Sequence, residues 1–155
     1  MKIRDGNNKD KLNYLRVQKE AFPQINRKRD SLFFDEKVRK KEIFILENKE
    51  YVGHICFSKY KLNPPFINSA FIEELAINLK FRGKGYGKLL IKKLIEYCKE
   101  NNIVSIHLGT EDKENCKLIK FYEKLGFKKV GKLEDIDPNS EYDHGQVFYA
   151  MLVKN

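Results

Sequence analysis

Several features are missing from these 155 residues, and each absence narrows the reading. No apolar run approaches the roughly 18–20 residues of a membrane span, so no membrane-crossing helix is expected. Residues 1–7, Met-Lys-Ile-Arg-Asp-Gly-Asn, lack the apolar centre of a secretory leader. Cysteine is scarce: Cys56, Cys98 and Cys116 form no Cys-x-x-Cys pair, and an odd count argues against a disulfide framework. They sit in apolar patterns and read as core thiols of a cytoplasmic protein. His54, His107 and His144 lie far apart with no zinc-like spacing, so no metal is expected. There is no internal repeat and no linker, which predicts one domain over 1–155, large enough to bury a core without staples.

Hydrophobic residues make up 41% and aromatics 12%, the balance of a folded globule rather than a disordered chain. The net charge of +9 suits an anionic cofactor, an acidic substrate or nucleic acid. The lysines are scattered rather than gathered in a stripe, which counts against nucleic acid. Much of the lysine also fits the background of an Asn- and Ile-rich composition.

Taken in order, residues 2–4 form a short apolar-centred edge strand. Leu12, Leu15 and Ala21-Phe22 recur at helical spacing over 8–22, and Pro23 ends that helix. A second helix is predicted over 31–41, with Leu32, Phe33, Phe34 and Val38 inward and Lys37, Arg39, Lys40 and Lys41 on a solvated face. Residues 43–46 and 51–57 read as strands joined by a hairpin at 47–50. After Asn63-Pro64-Pro65 comes a long strand, 68–77, then a glycine-rich turn and a helix over 85–101. The strand 103–108 should lie parallel to 68–77, because a strand–helix–strand crossover produces that arrangement. A last helix over 115–125 ends at Gly126, and strands 128–133 and 146–153 flank a polar loop. The pattern is α/β with a mixed sheet.

The chemistry centres on Arg82-Gly83-Lys84-Gly85-Tyr86-Gly87-Lys88, between a strand and a helix. Three alternate glycines permit φ > 0 and close ligand approach. The helix start that follows has unpaired N–H groups and a positive dipole end, which suit a phosphate. Arg82 stands where a Walker A loop needs its first Gly, and Leu89 where it needs a hydroxyl for Mg²⁺. Lys88 stands where a dinucleotide fingerprint needs its third Gly. The remaining pattern, Arg-x-x-Gly-x-Gly on Arg82, Gly85 and Gly87, resembles the coenzyme A pyrophosphate loop of the GNAT superfamily of N-acetyltransferases. A second block, Asn115 followed by Phe121-Tyr122-Glu123-Lys124-Leu125-Gly126-Phe127, is similar to another signature of those enzymes. Together the blocks cover 71–127.

The resemblance implies a mostly antiparallel sheet with a central parallel pair, here 70–77 and 103–110, that splays to admit pantetheine. Backbone groups of Leu75, Ala76 and Ile77 would pair with the pantetheine amides. Gly83, Lys84, Gly85, Tyr86 and Gly87 would hold the pyrophosphate, with Arg82 and Lys88 beside it. Asn115 would bond the arm, or simply cap its helix. Tyr122 matches the general-acid position, its phenol protonating the departing thiolate; a core aromatic role is the alternative. Glu73 and Glu74 are candidates for the base that takes the amine's proton, with Glu73 preferred and water a third option. Strand alternation sends the two acids to opposite faces. A backbone N–H near Ile77 could serve the oxyanion. The implied cosubstrate is acetyl-CoA and the partner an amine acceptor. The first two helices of such enzymes help roof the acceptor site, which makes Lys37, Arg39, Lys40 and Lys41 weak candidates for it. Two departures stand out: Ile77-Asn78-Leu79 replaces the frequent Val-x-Pro, and Leu118 a frequent Ala.

Two rival readings remain, a non-catalytic coenzyme A-binding regulatory module and a basic nucleic-acid binder. Tyr122 with an upstream acid favours turnover, since a pure binder needs neither. Cys116 as an acyl-carrying nucleophile lacks an evident neighbouring His. The acceptor is not legible: Glu134, Asp135, Asp137, Glu141 and Asp143 could draw a cationic amine or form a solvated turn. Oligomeric state also stays open, a homodimer among the options.

Overall fold

The computed structural model describes residues 1–23, 27–61, 68–111, 117–133 and 146–153. The chain divides into two compact units, Met1–Lys59 with Glu73–Tyr97, and Tyr60–Ile72 with Cys98–Asn155. One strand, β4 (Ser69–Ile77), begins in the second and ends in the first.

In the first unit the hydrogen-bonded strand order is β1 (Lys2–Asp5), β2 (Ile43–Glu47), β3 (Tyr51–Tyr60), β4. β1 and β2 run antiparallel from Lys2↔Glu47 to Asp5↔Phe44, and β2 and β3 form the expected hairpin. Ile43, Phe44, Ile45 and Leu46 are all buried, so β2 is covered on both faces. On one face lie α1 (Lys11–Ala21) and α2 (Arg27–Lys40), whose Tyr14, Val17 and Phe34 pack with Ile43, Ile45, Tyr51, Cys56 and Ala76. On the other, Tyr97 of α3 (Tyr86–Glu100) meets Phe44 and Phe57, with ring centroids 5.3–5.5 Å apart. Leu90, Ile91, Leu94 and Cys98 form the buried stripe of α3 at helical period. A 3₁₀ turn, Asn8–Asp10, leads into α1 through a reciprocal capping box between Asn7 and Asp10. Arg4 clamps that turn, reaching both Asp10 oxygens at 2.8 Å and Glu47 at 2.9 Å.

In the second unit the order is β4, β5 (Ser105–Glu111), β7 (Gln146–Leu152), β6 (Lys128–Leu133). β4 and β5 are parallel; β5–β7 and β6–β7 are antiparallel. α4 (Lys117–Lys124) ends in a Schellman motif: Phe127 N–H donates to Tyr122 C=O at 3.2 Å and Gly126 N–H to Glu123 C=O at 2.9 Å. Gly126 takes φ +95°, which only glycine adopts without strain. The fold is therefore α/β with a seven-stranded mixed sheet, as expected.

The solvated basic face expected on α2 needs one correction. Lys37 is buried, its Nζ donating to Ser58 Oγ at 2.6 Å and to Phe57 C=O at 3.1 Å, and pairing with Glu42 at 3.3 Å. Composition alone does not separate a lysine that lies over a strand bearing acids from one in water.

Gly53 on β3 stands close against the backbone of β4. A Cβ there would stand 2.4 Å from Ala76 O and 3.1 Å from Ile77 Cα, both backbone atoms of β4. At Gly131 a Cβ would meet nothing within 4 Å. Gly53→Ala should therefore lower stability in urea denaturation by about 1–3 kcal/mol, as overpacking does. Gly131→Ala should stay within about 0.5 kcal/mol of the parent.

Candidate active site

The parallel ladder of β4 with β5 runs from Ser69↔Ser105 to Ile72↔Leu108 and stops. β4 continues to Ile77, so Glu73, Glu74, Leu75, Ala76 and Ile77 extend past the last β5 partner. Asn78 then turns the chain. Its N–H donates to Val52 C=O at 2.9 Å, and its Oδ1 caps a 3₁₀ turn, Leu79–Phe81, by accepting from Lys80 N–H at 3.3 Å. An Asx cap thus does the work of the proline frequent at this corner.

Arg82 follows, and its Nε donates to Ile77 C=O at 2.9 Å, tying the glycine turn to the strand end. Gly83 and Gly85 have φ of +76° and +80°, with open space where a Cβ would stand. Backbone conformation, not crowding, demands glycine there. Gly87 is not left-handed; it lies in the first turn of α3, so two of the three glycines have the conformational role expected of all. Gly85 C=O accepts an early α3 bond, from Leu89 N–H at 3.4 Å. Arg82, Lys84 and Lys88 are exposed around the α3 N-terminus, and Tyr86 packs edge-on to Phe81. Free N–H groups, a positive dipole end and three cations make this turn fit for an anion.

The two acids before it have different surroundings. Glu73 Oε2 lies 3.0 Å from Lys37 Nζ, and its Oε1 accepts from Ser58 Oγ at 2.5 Å. Glu74 has no cation partner among the described residues. Its Oε2 accepts from Tyr14 Oη at 2.9 Å, Cys56 also hydrogen-bonds to it, and His54 Nε2 stands 3.9 Å away. Burial pushes the Glu74 carboxyl up to about 7, against the opposing pull of those hydrogen bonds. His54 is fully buried and burial pushes it down to about 3, so it is neutral and gives Glu74 no counter-charge. Its Nδ1 lies 2.8 Å from Tyr51 Oη.

The expected opposite facing of Glu73 and Glu74 does not hold. Glu74 reaches Cys56 and Glu73 reaches Ser58, two positions apart on β3 and therefore on one face of it. Sequence reasoning also missed Tyr14 and Lys37, the helical partners of the two acids. No motif marks them, because strand-to-helix packing makes the match.

In the second unit Tyr122 is buried beside Phe121 and Phe127, with centroids at 5.1 and 5.5 Å. Burial raises its phenol above the ordinary value, so the proton stays on. The hydroxyl makes no hydrogen bond to a described residue. A cavity of about 310 Å³ in this unit is lined by Tyr60, Ser69, Phe71, His107 and Phe148. Asn115, Cys116 and the five acids from Glu134 to Asp143 lie outside the described residues.

The raised Glu74 pKa has a thermodynamic sign. Unfolded, the carboxyl ionises near about 4.5; folded, near 7, so between these values the native state binds more protons. Stability from this group is therefore full below about 4.5 and lost as pH rises through 7, by roughly 3 kcal/mol in total. Glu74→Gln, which cannot ionise, should flatten that dependence: relative to the parent, the variant gains stability from pH 4 to pH 8 in urea titrations.

Residues 11–127, more than half of the chain, match the model of the acetyltransferase (GNAT) family. The chain is 37% identical over 68 residues to N-acetylaspartate synthetase of Danio rerio, covering 44% of this chain and 24% of that protein. It is 34% identical over 77 residues to streptothricin acetyltransferase A of Bacillus subtilis (strain 168), covering 50% and 44%. The chain thus spans less than half the length of these curated relatives. Among solved structures, an aminoglycoside 6'-N-acetyltransferase complexed with coenzyme A superposes with a TM-score of 0.82 at 18% identity, over 100% of this chain and 98% of that one. That likeness carries the fold. The parallel β4–β5 ladder, the glycine turn and the matched residues agree, and the chain belongs to the GNAT family of acetyltransferases.

Proposed function

We propose that this chain, working as one acetyltransferase domain, moves the acetyl group of acetyl-CoA to a primary amine by direct attack in a ternary complex. The observation that carries the reading is Glu74: a largely buried carboxyl with no cation partner among the described residues, next to the end of β4 that runs past its β5 partners and to the glycine turn. The amides of Leu75, Ala76 and Ile77 are the partners for pantetheine. The pyrophosphate belongs to the backbone from Gly83 through Gly87, with Arg82, Lys84, Tyr86 and Lys88 around it and Asn115 for the arm. The coenzyme A in the solved aminoglycoside acetyltransferase supports that cofactor. The N-acetyl groups in the names of N-acetylaspartate synthetase and the aminoglycoside 6'-N-acetyltransferase support an amine acceptor.

Glu74 is the base in this reading. A group ionising near 7 is poised to take a proton at neutral pH, whereas Glu73 is already engaged by Lys37 and serves to position the acceptor. The ammonium gives one proton to Glu74, the amine nitrogen bonds to the thioester carbon, and the C–S bond breaks. The thiolate takes the Tyr122 proton, the second proton of the nitrogen restores the phenol, and Glu74 releases its own proton to solvent. A backbone N–H near Ile77 serves the developing oxyanion. The buried Cys56 and Cys98 thiols support a reducing, cytoplasmic setting; among the described residues no helix is long and apolar enough to cross a membrane.

Steady-state kinetics with an amine panel test the assignments. kcat/KM should rise with pH through about 7, because the base must be ionised, and Glu74→Gln should remove that limb and lower kcat/KM by about 10²–10⁴. Tyr122→Phe should lower kcat by a comparable factor while leaving acetyl-CoA affinity nearly unchanged. An unaltered pH profile in Glu74→Gln would pass the base role to Glu73 or water. Tight acetyl-CoA binding with no acetylation of any amine would favour the regulatory module.

A further inference from the structure

Beneath the acid pair lies a second cluster, with donor atoms of three kinds. His54 and Cys56 alternate along β3 and so share one face, and β4 brings Glu74 onto that face. One ligand-type atom from each of the three lies within 4.8 Å of the other two. Gln18 of α1 is fully buried; its Oε1 stands 3.3 Å from His54 Nε2, and its side-chain amide also bears on the Glu74 carboxylate. We propose that His54 Nε2, Cys56 Sγ and a Glu74 carboxylate oxygen, with Gln18 Oε1 as fourth donor, bind one thiophilic divalent cation of the zinc class.

Charge balance favours the assignment. A thiolate and a carboxylate cancel the two charges of the cation, and the imidazole and amide add none. The occupied cluster is therefore neutral where a net charge would be costly to bury. The donor set, one nitrogen, one sulfur and oxygens, is the mixture zinc accepts. Donors around a tetrahedral ion with bonds of about 2.0–2.3 Å stand about 3.2–3.8 Å apart, so the three must draw in by about 1 Å. The surrounding contacts match what metal ligands require. Tyr51 Oη, 2.8 Å from His54 Nδ1, accepts its N–H in the tautomer that leaves the Nε2 lone pair free. Tyr14 Oη donates to Glu74 Oε2 at 2.9 Å and fixes the carboxylate. Binding displaces the thiol proton, and any proton on the carboxyl, to solvent. Four protein donors leave no position for water, so the ion is not itself catalytic. Because Glu74 is the base in the reading above, occupancy also silences turnover. That corollary rests on the reading; the site does not.

Sequence spacing hid this site. Zinc-like runs gather their donors within short stretches of chain, whereas here two donors are a strand alternation apart and the others come from β4 and α1.

Titration of the reduced, tag-free full chain with Co²⁺ tests the proposal, with Zn²⁺ as competitor. The expected result is a thiolate-to-cobalt charge-transfer band that saturates at one equivalent and is bleached by Zn²⁺. Cys56→Ser should abolish the band, whereas Cys98→Ser and Cys116→Ser should keep it. Tyr51→Phe, which leaves every donor in place, should weaken Co²⁺ about tenfold. Glu74→Gln should keep a thiolate band but weaken Co²⁺ tenfold or more, which decides the matter if Cys56→Ser does not fold. No charge-transfer band at millimolar Co²⁺, or one that survives Cys56→Ser, would overturn the site. A saturated site with undiminished acetylation would leave the site standing and remove Glu74 as base.

Discussion

The structure turns on where one hydrogen-bond ladder ends. β4 and β5 pair in parallel only as far as Ile72↔Leu108, yet β4 runs on for five residues. Backbone N–H and C=O groups in a sheet are obligatory hydrogen-bonders, and leaving them dry and unpaired is costly. The far end of β4 is therefore kept by other means. Asn78 N–H bonds Val52, Arg82 bonds the Ile77 carbonyl, and Gly53 lets β3 lie against Ala76 without a clash. What remains is a strand edge suited to the amides of an extended ligand, followed at once by an anion-binding turn.

The acid pair shows how environment divides two identical side chains in adjacent positions. Glu73 sits against a buried ammonium, and that Lys37 is itself held by Glu42, Ser58 and a backbone carbonyl. Glu74 has a phenol, a thiol and a neutral imidazole. Burial without a cation raises a carboxyl toward neutrality, and this suits a group that must hold and release a proton, or a metal ion, near pH 7. Both α1 and α2 take part, so the helices that cover this face of the sheet also set its chemistry.

Much of this was legible in the sequence, for local reasons. The glycine turn, its flanking strand and helix, and the Gly126 stop are written in contiguous residues whose φ angles and capping are short-range matters. The element order follows from apolar periodicity. What escaped depends on register between distant segments. Lys37 reads as a surface lysine until Ser58 and Glu73 are found beside it. Glu73 and Glu74 read as opposite-facing until both prove to reach the same face of β3. Gly87 reads as a third glycine of the turn, although only Gly83 and Gly85 there take positive φ. His54 and Cys56 read as unrelated core residues because Gln18 and Glu74 come from other elements.

The most direct measurement is calorimetric titration of the protein with acetyl-CoA at low salt, with ATP and NAD as controls and Gly85→Asp as the variant. The account predicts saturable binding near one equivalent for acetyl-CoA alone. Gly85→Asp should lose it, since a side chain at φ +80° strains the turn and its carboxylate repels the pyrophosphate. No acetyl-CoA binding, or binding undisturbed by the aspartate, would contradict the claim that this turn holds the cofactor.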